Sequence, residues 1–110
     1  MIEVDIRPDH WNIVRDILRR CLPAGTTVRI FGSRARRTAR PYSDLDIAIK
    51  GLRPLGFDLI GQIAEAFSDS DLPYKVDIVD LAAVDPGFAA IVEAQGILLP
   101  PDLPNSVPTG

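Results

Sequence analysis

The sequence predicts a small α/β domain of the mixed, α+β kind: a three-stranded sheet flanked by about four helices. Three observations lead there. Stretches with helical apolar spacing alternate with short β-type runs, in the order helix–strand–helix–strand–helix–strand–helix. At 110 residues the chain can enclose one core, and its 46% hydrophobic content suits a folded domain. Finally, Gly32-Ser33 closes the first strand, whereas Asp44 and Asp46 open the second. If both line one site, those strands run antiparallel and the sheet is mixed.

Trp11, Val14, Ile17, Leu18, Cys21 and Leu22 recur at helical spacing, so residues 9–22 read as an amphipathic helix. Pro8 and Asp9 signal its start, and Pro23 with Gly25 its stop. A strand follows at 27–31, then a short basic turn of helical character at 33–39 and a loop at 40–43. Leu45, Ile47 and Ile49 alternate through a second strand at 45–50, punctuated by Gly51, Pro54 and Gly56. Leu59, Ile60, Ile63, Ala64 and Phe67 mark a helix at 57–68, and Lys75 to Val79 a third strand. The last helix, 86–95, has Asp85 as N-cap, Pro86 at its first position and Gly96 at its stop. Residues 1–99 thus form the domain, and the proline-rich 100–110 an extended or disordered tail.

The first residues lack the basic start and apolar run of a signal peptide, and no stretch approaches a membrane span. The lone Cys21 has no partner for an internal disulfide, so a reducing, cytoplasmic setting is expected. Net charge is −3, but it is segregated: residues 1–53 carry eleven bases against six acids, the remainder one base against nine acids. Such asymmetry allows a local pocket for polyanions without general nucleic-acid binding.

Asp44 and Asp46 have the i, i+2 spacing that puts two side chains on one strand face. Adjacent carboxylates repel one another unless a cation neutralises them. Hard oxygen donors of this kind suit Mg²⁺, which binds one or two carboxylates plus substrate phosphates. A glycine after a strand lets the backbone approach a phosphate, and Ser33 adds a hydroxyl. Metal-assisted phosphoryl chemistry calls for a third carboxylate, and Asp77, mid-strand between Val76 and Ile78, is the leading candidate. Asp80, of opposite parity, reads as a cap or turn residue. His10 has no metal-ligand companions, Trp11 and Cys21 belong to an apolar helix face, and Tyr42 and Lys50 are candidate nucleotide contacts.

Phe31-Gly-Ser-Arg-Ala-Arg36, Ser43-Asp-Leu-Asp-Ile-Ala48 and Val76-Asp-Ile-Val79 together resemble the minimal nucleotidyltransferases of the DNA polymerase β superfamily. Those small proteins often serve as antitoxins to helical HEPN ribonuclease toxins. The resemblance spans about residues 9–99; Arg37 stands where that branch often has glycine. It implies that Gly32 and Ser33 hold the β- and γ-phosphates of ATP, with Arg34 and Arg36 clamping the triphosphate. It implies further that Asp44, Asp46 and Asp77 bind two Mg²⁺ ions and that Asp77 favours deprotonation of the acceptor hydroxyl. AMP would then pass to a HEPN-type toxin, in a hetero-oligomer, docked beside Arg34, Arg36, Arg37 and Arg40. The alternatives are an antitoxin that neutralises its partner by binding alone, and a small-molecule or RNA-end nucleotidyltransferase.

Overall fold

Pro8 begins the first helix, α1 (Pro8–Cys21), because its fixed φ suits the first helical position, where no N–H is needed. The protein is seen in a computed structural model that describes residues 6–23, 25–35 and 43–99. After α1 come β1 (Thr27–Phe31), β2 (Leu45–Lys50), α2 (Gly56–Ser68), β3 (Val76–Asp80), α3 (Pro86–Gln95) and β4 (Ile97–Leu98). The sheet order is β3-β2-β1-β4, with β1 antiparallel to β2 and β4, and β2 parallel to β3. The antiparallel pairing of β1 with β2 and the mixed sheet are as the motif placement required.

Two counts differ from the sequence expectation. The sheet has four strands, because Ile97 and Leu98 pair with Ile30 and Arg29, and Leu99 N–H extends the contact to Val28 O at 2.9 Å. Two residues are too few to show a period, so the pairing depends on where α3 delivers the chain. The described residues hold three α-helices, not four. Ser33–Ala35 form a turn; the rest of the expected 33–39 element lies outside the described residues.

Alternation along β2 assigns the two faces of the sheet. Leu45, Ile47 and Ile49 are fully buried and meet Val28 and Ile30 of β1, Val14, Ile17 and Leu18 of α1, and Ile63 and Phe67 of α2. Ala48 faces the other way, into a smaller cluster with Leu81 and Val92, edged by Phe31 and Val79. Asp85 Oδ2 accepts from Phe88 N–H at 3.2 Å, capping α3 as expected. α2 has no side-chain cap at Leu55. Instead Asp80, at the end of β3, accepts from Leu55 N–H at 2.7 Å and from Ala82 N–H at 3.0 Å. Asp80 is therefore the turn residue its parity indicated, and it also ties the 51–55 loop to the sheet.

Ile47 lies at the centre of the larger core with no solvent exposure. Ile47→Ala is expected to cost about 2–5 kcal/mol, read as a lower urea midpoint with little change in slope.

Candidate active site

The end of β1 and the start of β2 meet because the antiparallel register pairs Phe31 with Asp46. Gly32, the next residue, has φ 77°, a left-handed conformation open to glycine at no steric cost. A Cβ built on Gly32 would overlap Asp46 Oδ2 and stand 3.1 Å from Asp46 Cγ. Glycine is thus required twice, by the turn and by the carboxylate lying against it. Ser33 and Ala35 continue the turn and are half-buried.

The parallel register of β2 and β3 sets Asp46 directly beside Asp77. Neighbouring strands lie about 4.8 Å apart, so these two side chains project side by side from one face. Asp44, two residues before Asp46, has the same parity and is exposed. Asp46 and Asp77 therefore project together at one end of the sheet, with Asp44 one residue before β2 begins. Asp77 Oδ1 lies 3.4 Å from Lys75 Nζ, an exposed pair of small energetic value.

Among the described residues no three His, Cys, Asp or Glu side chains converge tightly enough to cage a metal ion. The donor chemistry nevertheless fits a hard divalent cation. Mg²⁺ keeps an incomplete set of protein ligands and takes further oxygens from water and substrate phosphates. Carboxylates on adjacent strands beside a glycine turn suit a cation that arrives with a triphosphate.

Arg34, the candidate triphosphate clamp of the motif, lies in the turn after β1 and is engaged by protein groups. It is 5% exposed. Its Nε and Nη2 donate to Ser43 O at 3.2 and 2.8 Å, and its guanidinium lies 3.8 Å from the centroid of the Tyr74 ring. Tyr74 in turn meets His10 edge-on, with its hydroxyl 3.3 Å from Nδ1. His10 is thus engaged by an aromatic contact. Tyr74 is the site-adjacent residue that sequence reasoning missed. Its only signal was an aromatic three residues before Asp77, which does not name a partner forty residues earlier.

Burial pushes the Tyr74 hydroxyl above its usual value of 10.0, and the Arg34 charge opposes this in part. A raised folded-state pKa means that the stability this group contributes is complete below the unfolded value. It is lost as pH rises through the folded one. As pH rises above 10.0, wild type should therefore lose more stability than Tyr74→Phe. Denaturant titrations of both proteins across that range measure the difference.

Lys50 shares the parity of the aspartates but sits at the opposite end of β2, where its Nζ binds Glu93 Oε1 at 2.8 Å. That pair holds Glu93 below the usual carboxylate range. Lys50 thus fastens α3 to the sheet. Trp11 and Cys21 are half-buried against the larger core. Arg36, Arg37, Arg40, Tyr42 and the 100–110 tail lie outside the described residues. No helix among the described residues is long and apolar enough to cross a membrane.

The sequence pattern of the family described as "Polymerase beta, Nucleotidyltransferase" matches residues 20–101, a span that includes the turn and all three aspartates. The chain belongs to this family. Among nucleotidyltransferase relatives, it is 42% identical over 97 residues to the "Probable protein adenylyltransferase MntA" of Haemophilus influenzae, covering 88% of this chain and 84% of that one. Its fold is similar to a crystal structure of a toxin–antitoxin with AMP-PNP, with a TM-score of 0.69 and 29% identity. That match covers 79% of this chain and 69% of the other. It is also similar to a crystal structure of the toxin–antitoxin MntA-HepT, with a TM-score of 0.54 and 25% identity, covering 79% of this chain and 66% of the other.

Proposed function

We propose that this nucleotidyltransferase moves AMP from ATP to a hydroxyl of a HEPN-type toxin, with Mg²⁺, and so acts as an antitoxin. The observation that carries the reading is the placement of Asp46 beside Asp77 and against Gly32 at one end of the sheet. The 42% identity to a relative named as a protein adenylyltransferase supports the transferred group, and the toxin–antitoxin structures support the partner.

In this reading the Gly32–Ser33 turn presents backbone N–H groups and a hydroxyl to the β- and γ-phosphates. Arg36, read from sequence alone, adds a guanidinium suited to phosphate oxygens. Asp44, Asp46 and Asp77 are the residues that would hold Mg²⁺, two ions in this reading, and the metal would neutralise charge on the triphosphate and acidify the acceptor hydroxyl. Asp77 faces the acceptor and favours loss of its proton. The acceptor oxygen bonds to the α-phosphorus as the bond from that phosphorus to the β-phosphate bridging oxygen breaks, and pyrophosphate leaves. The protein contributes alignment and electrostatic complementarity, with no covalent intermediate on the chain. A cytoplasmic location follows from the same reading.

The test is incubation with ATP, Mg²⁺ and a HEPN-type toxin, with the partner's mass measured intact. A gain of one or more AMP units, absent in Asp44→Asn combined with Asp46→Asn, is expected. A partner that stays unmodified yet is neutralised equally by wild type and the double variant would overturn the reading in favour of occlusion by binding.

A further inference from the structure

Arg34 is the first and Ser43 the last of the ten residues that separate Ser33 from Asp44, and the guanidinium of the first is bonded to the carbonyl of the last. The spacer is thereby closed at its own ends. Without such a closure the position of Asp44 would be set only by β2. With it, the carbonyl immediately before Asp44 is held to the residue immediately after Ser33. The third carboxylate is linked to the same group. Tyr74, whose ring lies under the guanidinium, is three residues before Asp77. Between them Lys75 O accepts from Leu45 N–H at 2.9 Å, joining the starts of β2 and β3.

We infer that Arg34 is a positioning residue, one buried guanidinium that sets the phosphate turn, Asp44 and Asp77 in mutual register, with Tyr74 as its platform. The inference rests on the nucleotidyl-transfer reading above for its kinetic consequence, but the geometry stands apart from it. A planar guanidinium can direct two N–H groups onto one carbonyl oxygen and stack on a ring at the same time. Lysine can reach only one of these and cannot stack as a plane. The chemistry therefore asks for arginine here.

The prediction separates two roles for Arg34. A group that touches phosphate would, when changed to lysine, chiefly raise the KM for ATP, and Tyr74 would matter little. A positioning group misplaces carboxylates, and errors near 1 Å can cost about 100-fold in rate. Arg34→Lys and Tyr74→Leu should therefore each lower kcat by about 10- to 100-fold, with the KM for ATP within about threefold. Their combination should be little worse than either alone, since both break one linkage. Tyr74→Phe keeps the ring and should restore most of the rate lost in Tyr74→Leu.

Hydrogen–deuterium exchange supplies the readout that does not depend on activity. Residues 43–46 should exchange faster in Arg34→Lys and Tyr74→Leu than in wild type, while the core of β1 and β2 stays protected. Should wild type transfer no nucleotide, the function fails but this exchange pattern still decides the linkage. The inference is overturned if exchange at 43–46 is unchanged in both variants. It is equally overturned if Arg34→Lys raises KM alone, or if Tyr74→Leu transfers nucleotide at the wild-type rate.

Discussion

Asp46→Asn should lower nucleotide transfer by about 10²–10³-fold or more, the cost of removing one preorganised electrostatic group from the reacting centre. The same change should leave the fold intact. Asp46 and Asp77 are paired across a parallel ladder, and like charges placed side by side on a sheet repel. Asparagine is isosteric and removes that repulsion, which offsets what the carboxylate contributes to the turn. Loss of activity without loss of the fold is what a site residue should show, because a structural residue would lose both. Single-turnover transfer rates alongside urea denaturation without Mg²⁺ measure the pair. Reduced stability in Asp46→Asn would mean that the carboxylate holds the turn together in the free protein.

Gly32→Ala should lose both. The alanine must adopt φ near 77°, and its Cβ must displace the Asp46 carboxylate that lies against the turn. Left-handed strain costs about 1–3 kcal/mol, and the displaced carboxylate should lower transfer about 100-fold. Gly61→Ala is the internal control. Gly61 sits on an exposed face of α2 with nothing within 4 Å of its missing Cβ, so alanine should stabilise by about 0.5–1 kcal/mol with normal activity. If the two glycine variants behaved alike, close packing at Gly32 would not be the reason for glycine there.

The elements that carry a period were legible in the sequence. Helix α3 begins and ends where Asp85, Pro86 and Gly96 placed it, since a cap, a fixed φ and a stop are local signals. The antiparallel relation of β1 and β2 followed from requiring Gly32 and Asp46 to share a site, and the register bears it out. What was hidden depends on distant residues. β4 exists only because α3 returns the chain to β1, and the loop before α2 is tied at Leu55 N–H by Asp80 on another element. Sequence gives the charge of Arg34 without its depth. Tyr74 and Ser43 then claim that charge from separate segments. Lys50 shares the parity of Asp44 and Asp46, but four residues along a strand move it about 13 Å from Asp46, to the end where Glu93 waits.

Transfer of AMP, as opposed to any other phosphate chemistry, is tested most directly by the position of the label in ATP. The protein, Mg²⁺ and the proposed HEPN-type partner are incubated in parallel with ATP labelled at the α- or the γ-phosphate, and the partner is separated and counted. Label on the partner from α-labelled ATP alone, lost in Asp46→Asn, is the expected result. Label from γ-labelled ATP, or none from α-labelled ATP while the partner is nonetheless silenced, would contradict nucleotidyl transfer at this site.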